Sequence, residues 1–252
     1  MKNLLAQDCV SLLEELAWSN VLLAFDFDGT LAPIVEDRGA ARMTAKTEAL
    51  FARVTELYPC AVISGRSRVD VAGRLGTARV KYVVGNHGLE PGASFPALER
   101  QVERARDALT VALRDEPGVE IEDKRYSLAI HYRRARLKNE ARKVITSAIG
   151  RLDDGMRTIA GKLVINVIPA GAPNKADALV HLRAKERADV ALYVGDDATD
   201  EDVFELDQPG RLVSVRVGAS RSSAARYFLK NQREVDAVLD KLARLRANGQ
   251  RR

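Results

Sequence analysis

Cysteine is scarce in this chain. Only Cys9 and Cys60 occur, too few for a disulfide framework or a Cys/His metal cluster. Cys60, in the apolar run Cys60-Ala61-Val62-Ile63, reads as a small buried residue. Long apolar runs are missing too. No stretch approaches the roughly 20 residues of a membrane span. The first ten residues carry Lys2 and Asp8 and lack the apolar centre of a signal peptide, so a cytoplasmic setting is expected, with no membrane partner. Charge of one sign never accumulates: 40 Lys and Arg are interspersed with 35 Asp and Glu, leaving a net charge of +5. Without a concentrated basic stripe no nucleic-acid partner is expected, and a modest positive excess suits a small anionic substrate. Repeats and low-complexity segments are absent as well. What remains is a 252-residue chain with 46% hydrophobic and 30% charged residues. That is an ordinary globular balance, in a length that accommodates one large domain or a core with a smaller insert.

Short apolar runs alternate with helical spacing through much of the chain. Residues 21–25 are continuously apolar, as in a strand buried on both faces. Residues 61–63, 82–84, 190–194 and 212–217 read as further strands. Helices are predicted over 44–58, with Thr44 as N-cap, and over 174–185, 200–206 and 234–245. This alternation predicts a parallel, doubly wound sheet. Between about 92 and 169 the rhythm changes. Helices over 98–114 and 137–152 accompany strand-like runs at 119–123 and 126–132 and two more ending at Ile168, which suggests an α+β insert. Turn-forming Pro91-Gly92 and Pro169-Ala170-Gly171 mark its junctions as hinges. The tail, 246–252, is basic and polar and is expected to fray.

The run 21–25 ends in Asp26-Phe27-Asp28-Gly29-Thr30-Leu31. A carboxylate is already ionised at neutral pH and can attack phosphorus without a general base. A second one, two residues on, can protonate a leaving alcohol and then activate water. Gly29 permits a tight turn. Asp and Gly are also common in plain surface turns, but ligands sit at the C-terminal strand ends of such sheets. The second signal, 195–202, places five carboxylates within seven positions, Asp196, Asp197, Asp200, Glu201 and Asp202. They repel one another unless a cation or a helix N-terminus offsets them. An oxygen-rich cluster suits Mg²⁺. Asp196 is the expected ligand with Asp200 in support, while Thr199 reads as a helix cap and Glu201 and Asp202 as surface residues complementing the helix dipole. Ser64 and Gly65 could hold phosphate oxygens, although Ser-Gly is a frequent turn. Lys175 could face a phosphoryl group as a point charge, although a lone lysine is usually solvated.

In chain order, with Ser64 and Lys175 between the two acidic runs, the four elements resemble the motifs of the haloacid dehalogenase superfamily of phosphohydrolases. That resemblance implies an α/β, Rossmann-like parallel sheet core (1–90 and 170–252) with an inserted α+β cap (91–169). It also implies Asp26 as nucleophile, Asp28 as acid and then base, and Mg²⁺ on Asp26, the Asp28 carbonyl and Asp196. Segments 85–90, 122–127, His131-Tyr132-Arg133, Gly161-Lys162 and 195–201 narrow it to a likeness to the trehalose-6-phosphate phosphatase family, spanning about 22–204. By that likeness Arg66, His87, Glu90, Glu122, Lys124, His131, Arg133 and Lys162 are expected substrate contacts. The chain departs from the family pattern at Asn166, where a glutamate is usual, at the position before Pro169, where an arginine is usual, and at Ala176, where a glycine follows the lysine. Asn166 keeps hydrogen bonding and loses the charge. The implied activity is Mg²⁺-dependent hydrolysis of a sugar phosphate, trehalose 6-phosphate first, by a protein expected to act as a monomer. Sucrose phosphate or a glucosyl-glycerol ester is the alternative substrate. A silent binding domain of a trehalose-synthesising complex is the alternative of another kind.

Overall fold

The computed structural model describes residues 1–90, 96–152, 155–161, 163–206 and 208–249. The expected hinge Pro91-Gly92 and the expected contact Lys162 lie outside the described residues. Two units are present, Met1–Pro91 with Asn174–Arg252, and Gly92–Pro173.

The chain opens with β1 (Lys2–Asn3), α1 (Val10–Trp18), β2 (Val21–Phe25), α2 (Ala45–Leu57), β3 (Cys60–Ile63), α3 (Arg68–Ala72) and β4 (Tyr82–Val84). The insert follows: α4 (Pro96–Leu113), β5 (Glu120–Asp123), β6 (Leu128–His131), α5 (Lys138–Ile149), β7 (Met156–Gly161) and β8 (Val164–Pro169). The chain then returns through α6 (Lys175–Glu186), β9 (Val190–Gly195), α7 (Glu201–Phe204), β10 (Leu212–Val217), β11 (Tyr227–Leu229) and α8 (Arg233–Gly249).

The first unit is a seven-stranded parallel sheet in the order β1-β11-β10-β9-β2-β3-β4. Every residue of β2 is buried, which explains its unbroken apolar run: both sheet faces are covered. Val21, Leu23 and Phe25 pack against α1, α2 and α8 through Leu13, Phe51, Val238 and Leu242. Leu22 and Ala24 pack the other way, against Leu179 and Leu182 of α6. Each such side chain contributes about 1.5–3 kcal/mol on full burial. Thr44 caps α2 by accepting from the Thr47 amide, as its sequence position predicts. From β2 the sheet grows one way to β3 and β4 and the other way to β9, β10, β11 and β1. The strand order therefore reverses beside β2, and the C-terminal ends of β2, β3 and β9 meet at that crevice.

In the second unit the antiparallel order is β5-β6-β8-β7. Leu128, Ile130, Ile165 and Val167 pack on α4 and α5 through Val102, Leu109 and Ile145. The opposite face alternates with these residues.

Two local expectations are corrected. Of the tail, 250–252 lie outside the described residues, but it does not fray at Arg246: α8 runs on to Gly249, the Arg246 guanidinium lies 4.5 Å from the Tyr58 ring centre, and it donates to the Ala17 carbonyl. Thr199 is not the cap of the acidic helix. A 3-10 turn, Ala198–Asp200, precedes α7, and Asp197 caps it by accepting from the Ala198 amide.

Candidate active site

Asp26 leaves the end of β2 with its amide donating to the Val194 carbonyl of β9 at 2.9 Å, which fixes the two acidic loops side by side. Its carboxylate is buried. Lys175, also buried, reaches in from the first turn of α6. That turn is held by a capping box in which Asn174 accepts from the Asp177 amide and Asp177 accepts from the Asn174 amide. Lys175 Nζ lies 3.1 Å from Asp26 Oδ1 and 2.7 Å from Asp200 Oδ1. Burial alone would lower the Lys175 pKa, but Asp200 and Asp26 outweigh it and raise it overall, so the ammonium is kept charged.

Both Asp200 oxygens are occupied. Oδ1 accepts from Lys175 and, at 2.6 Å, from the Tyr193 hydroxyl. Oδ2 accepts from the amides of Asp196 and Asp197, each at 2.9 Å. Asp200 thus orients the lysine and braces the loop that carries Asp196. Tyr193 escapes sequence reading because it sits in an otherwise apolar strand. A lone hydroxyl in a fully buried run was its one signal.

One oxygen each of Asp26, Asp196 and Asp200 lies within 4.8 Å of the others. Asp196 Oδ1 is buried without a hydrogen-bond partner, and such an atom calls for a cation or a water. Burial, the largest cause for both, holds Asp26 and Asp196 above the usual carboxylate range; repulsion from neighbouring carboxylates adds to it, and for Asp26 the Lys175 ammonium offsets it in part. Gly29 makes the approach possible. It has φ +81° and a Cβ there would overlap the Asp196 carboxylate, so only glycine fits. With Lys175 counted, these three carboxylates are two positive charges short of neutral. Since Asp200 already gives both oxygens to protein donors, the oxygens left on Asp26 and Asp196 fit a small hard divalent cation.

Asp28, half-buried, is turned to Arg66, which grips both its oxygens at 2.6 and 2.7 Å. Ser64 is buried at the end of β3, and its Oγ accepts from the Arg66 amide at 3.2 Å. Gly65 faces the His87 ring, which a Cβ would overlap. Asn86 and His87 both take left-handed backbone angles, φ 48° and 58°. This tight turn hands its amides to the neighbouring loop: Asn86 donates to the Arg66 carbonyl and His87 to the Ser64 carbonyl. The structure thus brings Ser64, Gly65, Arg66 and His87 together with Asp28. Glu90 is drawn elsewhere, its carboxylate accepting from the Arg68 amide at 2.6 Å.

The remaining candidates lie on the insert. Register places Glu122 opposite Ala129, and Ala129 opposite Asn166, so these share one row on the face turned away from α4 and α5. His131 lies on the same face, with Nε2 2.8 Å from Glu122 Oε2. Lys124 is buried at the hairpin while Glu122 is exposed. Asp123 and Arg125 between and beyond them tie the hairpin to α4 through Arg106 and Glu99. Arg133, just past β6, is half-buried.

Comparison with known proteins meets this geometry. A family model described as trehalose-phosphatase matches residues 24–233. The trehalose-phosphate phosphatase of Mycobacterium ulcerans is 35% identical over 242 residues, covering 87% of this chain. The chain spans 60% of that relative's length. The C-terminal domain of the Candida albicans trehalose-6-phosphate phosphatase superposes with a TM-score of 0.79 at 26% identity, covering 93% of this chain and 97% of that one. The C-terminal domain of the Candida albicans trehalose synthase regulatory protein shares the fold alone, at TM-score 0.65 and 12% identity, over 88% of this chain and 94% of that one. The two carboxylate loops, the buried lysine and the serine turn all fall inside the matched segment, and the chain belongs to the trehalose-phosphatase family.

Proposed function

We propose that this protein is a phosphoric monoester hydrolase that cleaves trehalose 6-phosphate to trehalose and phosphate. The observation that carries the chemistry is the buried Asp26 carboxylate 3.1 Å from the Lys175 ammonium, beside an Asp196 oxygen without a partner. An Asp26 oxygen attacks phosphorus and the ester P–O bond breaks, while protonated Asp28 gives its proton to the departing sugar oxygen. Water then attacks the aspartyl-phosphate, returning its proton to Asp28 and freeing Asp26 and inorganic phosphate. Ser64, the Gly65 amide and Lys175 hold the phosphoryl oxygens. Asp26, Asp196 and the Asp28 carbonyl would hold Mg²⁺, which when bound supplies positive charge to the phosphoryl oxygens.

The choice of trehalose 6-phosphate rests on the family and on the polar face of the insert, where Glu122, His131 and Asn166 stand in adjoining rows with Lys124 and Arg133 at the strand ends. A disaccharide needs a partner for every hydroxyl it buries. Among the described residues no helix is long and apolar enough to cross a membrane, and both cysteines are free and buried, which supports a cytoplasmic setting. Retention of Asp26, Asp28 and Lys175 favours an enzyme over a silent binding domain.

The test is phosphate release with Mg²⁺ from trehalose 6-phosphate and a panel of other sugar phosphates. Asp26→Asn should abolish turnover on all of them, because an amide cannot form the acyl phosphate. Near wild-type turnover in Asp26→Asn would end the covalent reading. A preference for sucrose phosphate or a glucosyl-glycerol ester would move the substrate assignment and leave the chemistry standing.

A further inference from the structure

Arg66 does more than touch Asp28. Its guanidinium is buried, lies 5.7 Å from the centre of the Phe27 ring, and bridges two carboxylates. Nε and Nη2 fork onto the two oxygens of Asp28, and Nη1 donates to Asp70 Oδ2 at 2.7 Å. Asp70 is held in turn by Arg74, whose Nε and Nη2 lie 2.9 and 2.7 Å from Asp70 Oδ1. Arg74 Nη1 donates to the carbonyls of Gly39 and Ala41, each at 2.9 Å. Residues 66, 70 and 74 are spaced four apart along α3 and its flanks, which lines them up on one side of the helix. The ladder starts at Asp28, just after β2, and closes on 39–41, further along the same connection to α2.

We infer that Arg66, Asp70 and Arg74 are positioning residues that hold the Asp28 carboxylate for proton transfer, and that Arg66 serves this role rather than contacting sugar. A carboxylate on a turn has free side-chain rotation, and proton transfer needs it within a few tenths of an ångström of one place. A forked guanidinium fixes both oxygens at once. Asp70 shares the guanidinium, so Arg66 orients Asp28 without being its counterion alone. Removing an outer partner of this kind relaxes the inner one although no reacting atom is touched.

The inference rests on the reading of Asp28 as acid and base, and the experiment separates the two. The readout is kcat/KM for phenyl phosphate relative to 4-nitrophenyl phosphate, with trehalose 6-phosphate alongside. Neither aryl ester has sugar hydroxyls, and nitrophenolate departs without a proton whereas phenolate gains from one. Any misfolded fraction scales both esters equally and cancels in the ratio. Asp28→Asn should lower the phenyl-to-nitrophenyl ratio by roughly 10²-fold, the lower end of what a positioned acid contributes. Asp70→Asn, Arg74→Lys and Arg66→Lys should each lower it by roughly 10-fold, as removal of outer partners does elsewhere. An unchanged ratio in Asp28→Asn would overturn the acid itself. A lowered ratio in Asp28→Asn with an unchanged one in all three ladder variants would overturn the ladder. Loss on trehalose 6-phosphate alone, with the aryl ratio intact, would return Arg66 to the sugar.

Discussion

Carboxylates of the same kind do different work here according to what faces them. Asp196 and Glu201 are five residues apart, and their sequence context assigns one to metal and the other to the surface. The structure gives Glu201 three partners: Arg216 at 2.7 Å, the Ser223 hydroxyl and the Ala224 amide. It ties α7 to β10 and to the segment leading into β11. Besides standing in the first turn of α7, where its sequence position places a charge that complements the helix dipole, it is therefore a fixed link between elements. Glu201→Ala should lower unfolding stability by about 1–3 kcal/mol, because charge-assisted bonds are lost and their donors stranded, with Mg²⁺ affinity unchanged. Asp196→Asn should do the opposite. A bound ion stabilises by mass action, about 2.7 kcal/mol at a hundred times its Kd, so Mg²⁺ should raise the melting temperature of the wild type and of Glu201→Ala but not of Asp196→Asn. A full Mg²⁺ response in Asp196→Asn would exclude it as the ligand.

At the scale of elements, the site is made by two strand-to-helix connections that approach closely. Gly29 stands where the β2 loop meets the β9 loop. Gly29→Ala should lose most turnover and shift the Mg²⁺ requirement upward, since the new methyl displaces the Asp196 carboxylate. Gly210 is the control, with φ +73° and nothing within 4 Å of an added Cβ. Its alanine variant should show only the backbone cost, about 1–2 kcal/mol, and normal kcat/KM. Equal activity losses in both would mean that backbone strain, not the crowded carboxylate, is responsible. On the insert, Asn166 shares a row with Ala129 and Glu122. Asn166→Glu restores the residue usual in the family and, if trehalose 6-phosphate is the substrate, should be tolerated. Collapse of kcat/KM on that sugar alone would point to a different one.

For the whole molecule, the proposed function divides the labour between a unit that would carry the phosphoryl chemistry and an inserted unit whose polar groups would meet the sugar. Glu122→Ala and Lys124→Ala should each raise the barrier on trehalose 6-phosphate by roughly 1–3 kcal/mol, the cost of an unpaired buried hydroxyl, and leave 4-nitrophenyl phosphate nearly unaffected. Parallel losses on both esters would assign these residues to the fold or the phosphate site. Losses on neither would leave the hairpin a solvated edge pinned to α4 by Arg106 and Arg125.

The parallel sheet and the order of its elements were legible because burial on both faces demands unbroken apolar runs, and 21–25, 190–194 and 212–217 show them directly. The strand-end carboxylates stood out in the sequence for a related reason. Carboxylates such as Asp26, Asp28 and Asp196 are costly to place at the ends of buried strands, and they seldom stand there without a chemical role. Short elements, α1, α3, β1 and β11 among them, were not legible, because a few residues carry too little periodicity to stand out. The partner of each charge was hidden as well. Nothing along the chain says that Arg66 would grip Asp28, that Tyr193 and Lys175 would fill one oxygen of Asp200, or that Glu90 would accept from Arg68. Residue types and periodicity are local, and they determined which groups stand at the strand ends. Pairing joins residues far apart in sequence, and its energy depends on distance and exclusion of water. Only the packed sheet and its loops could decide it.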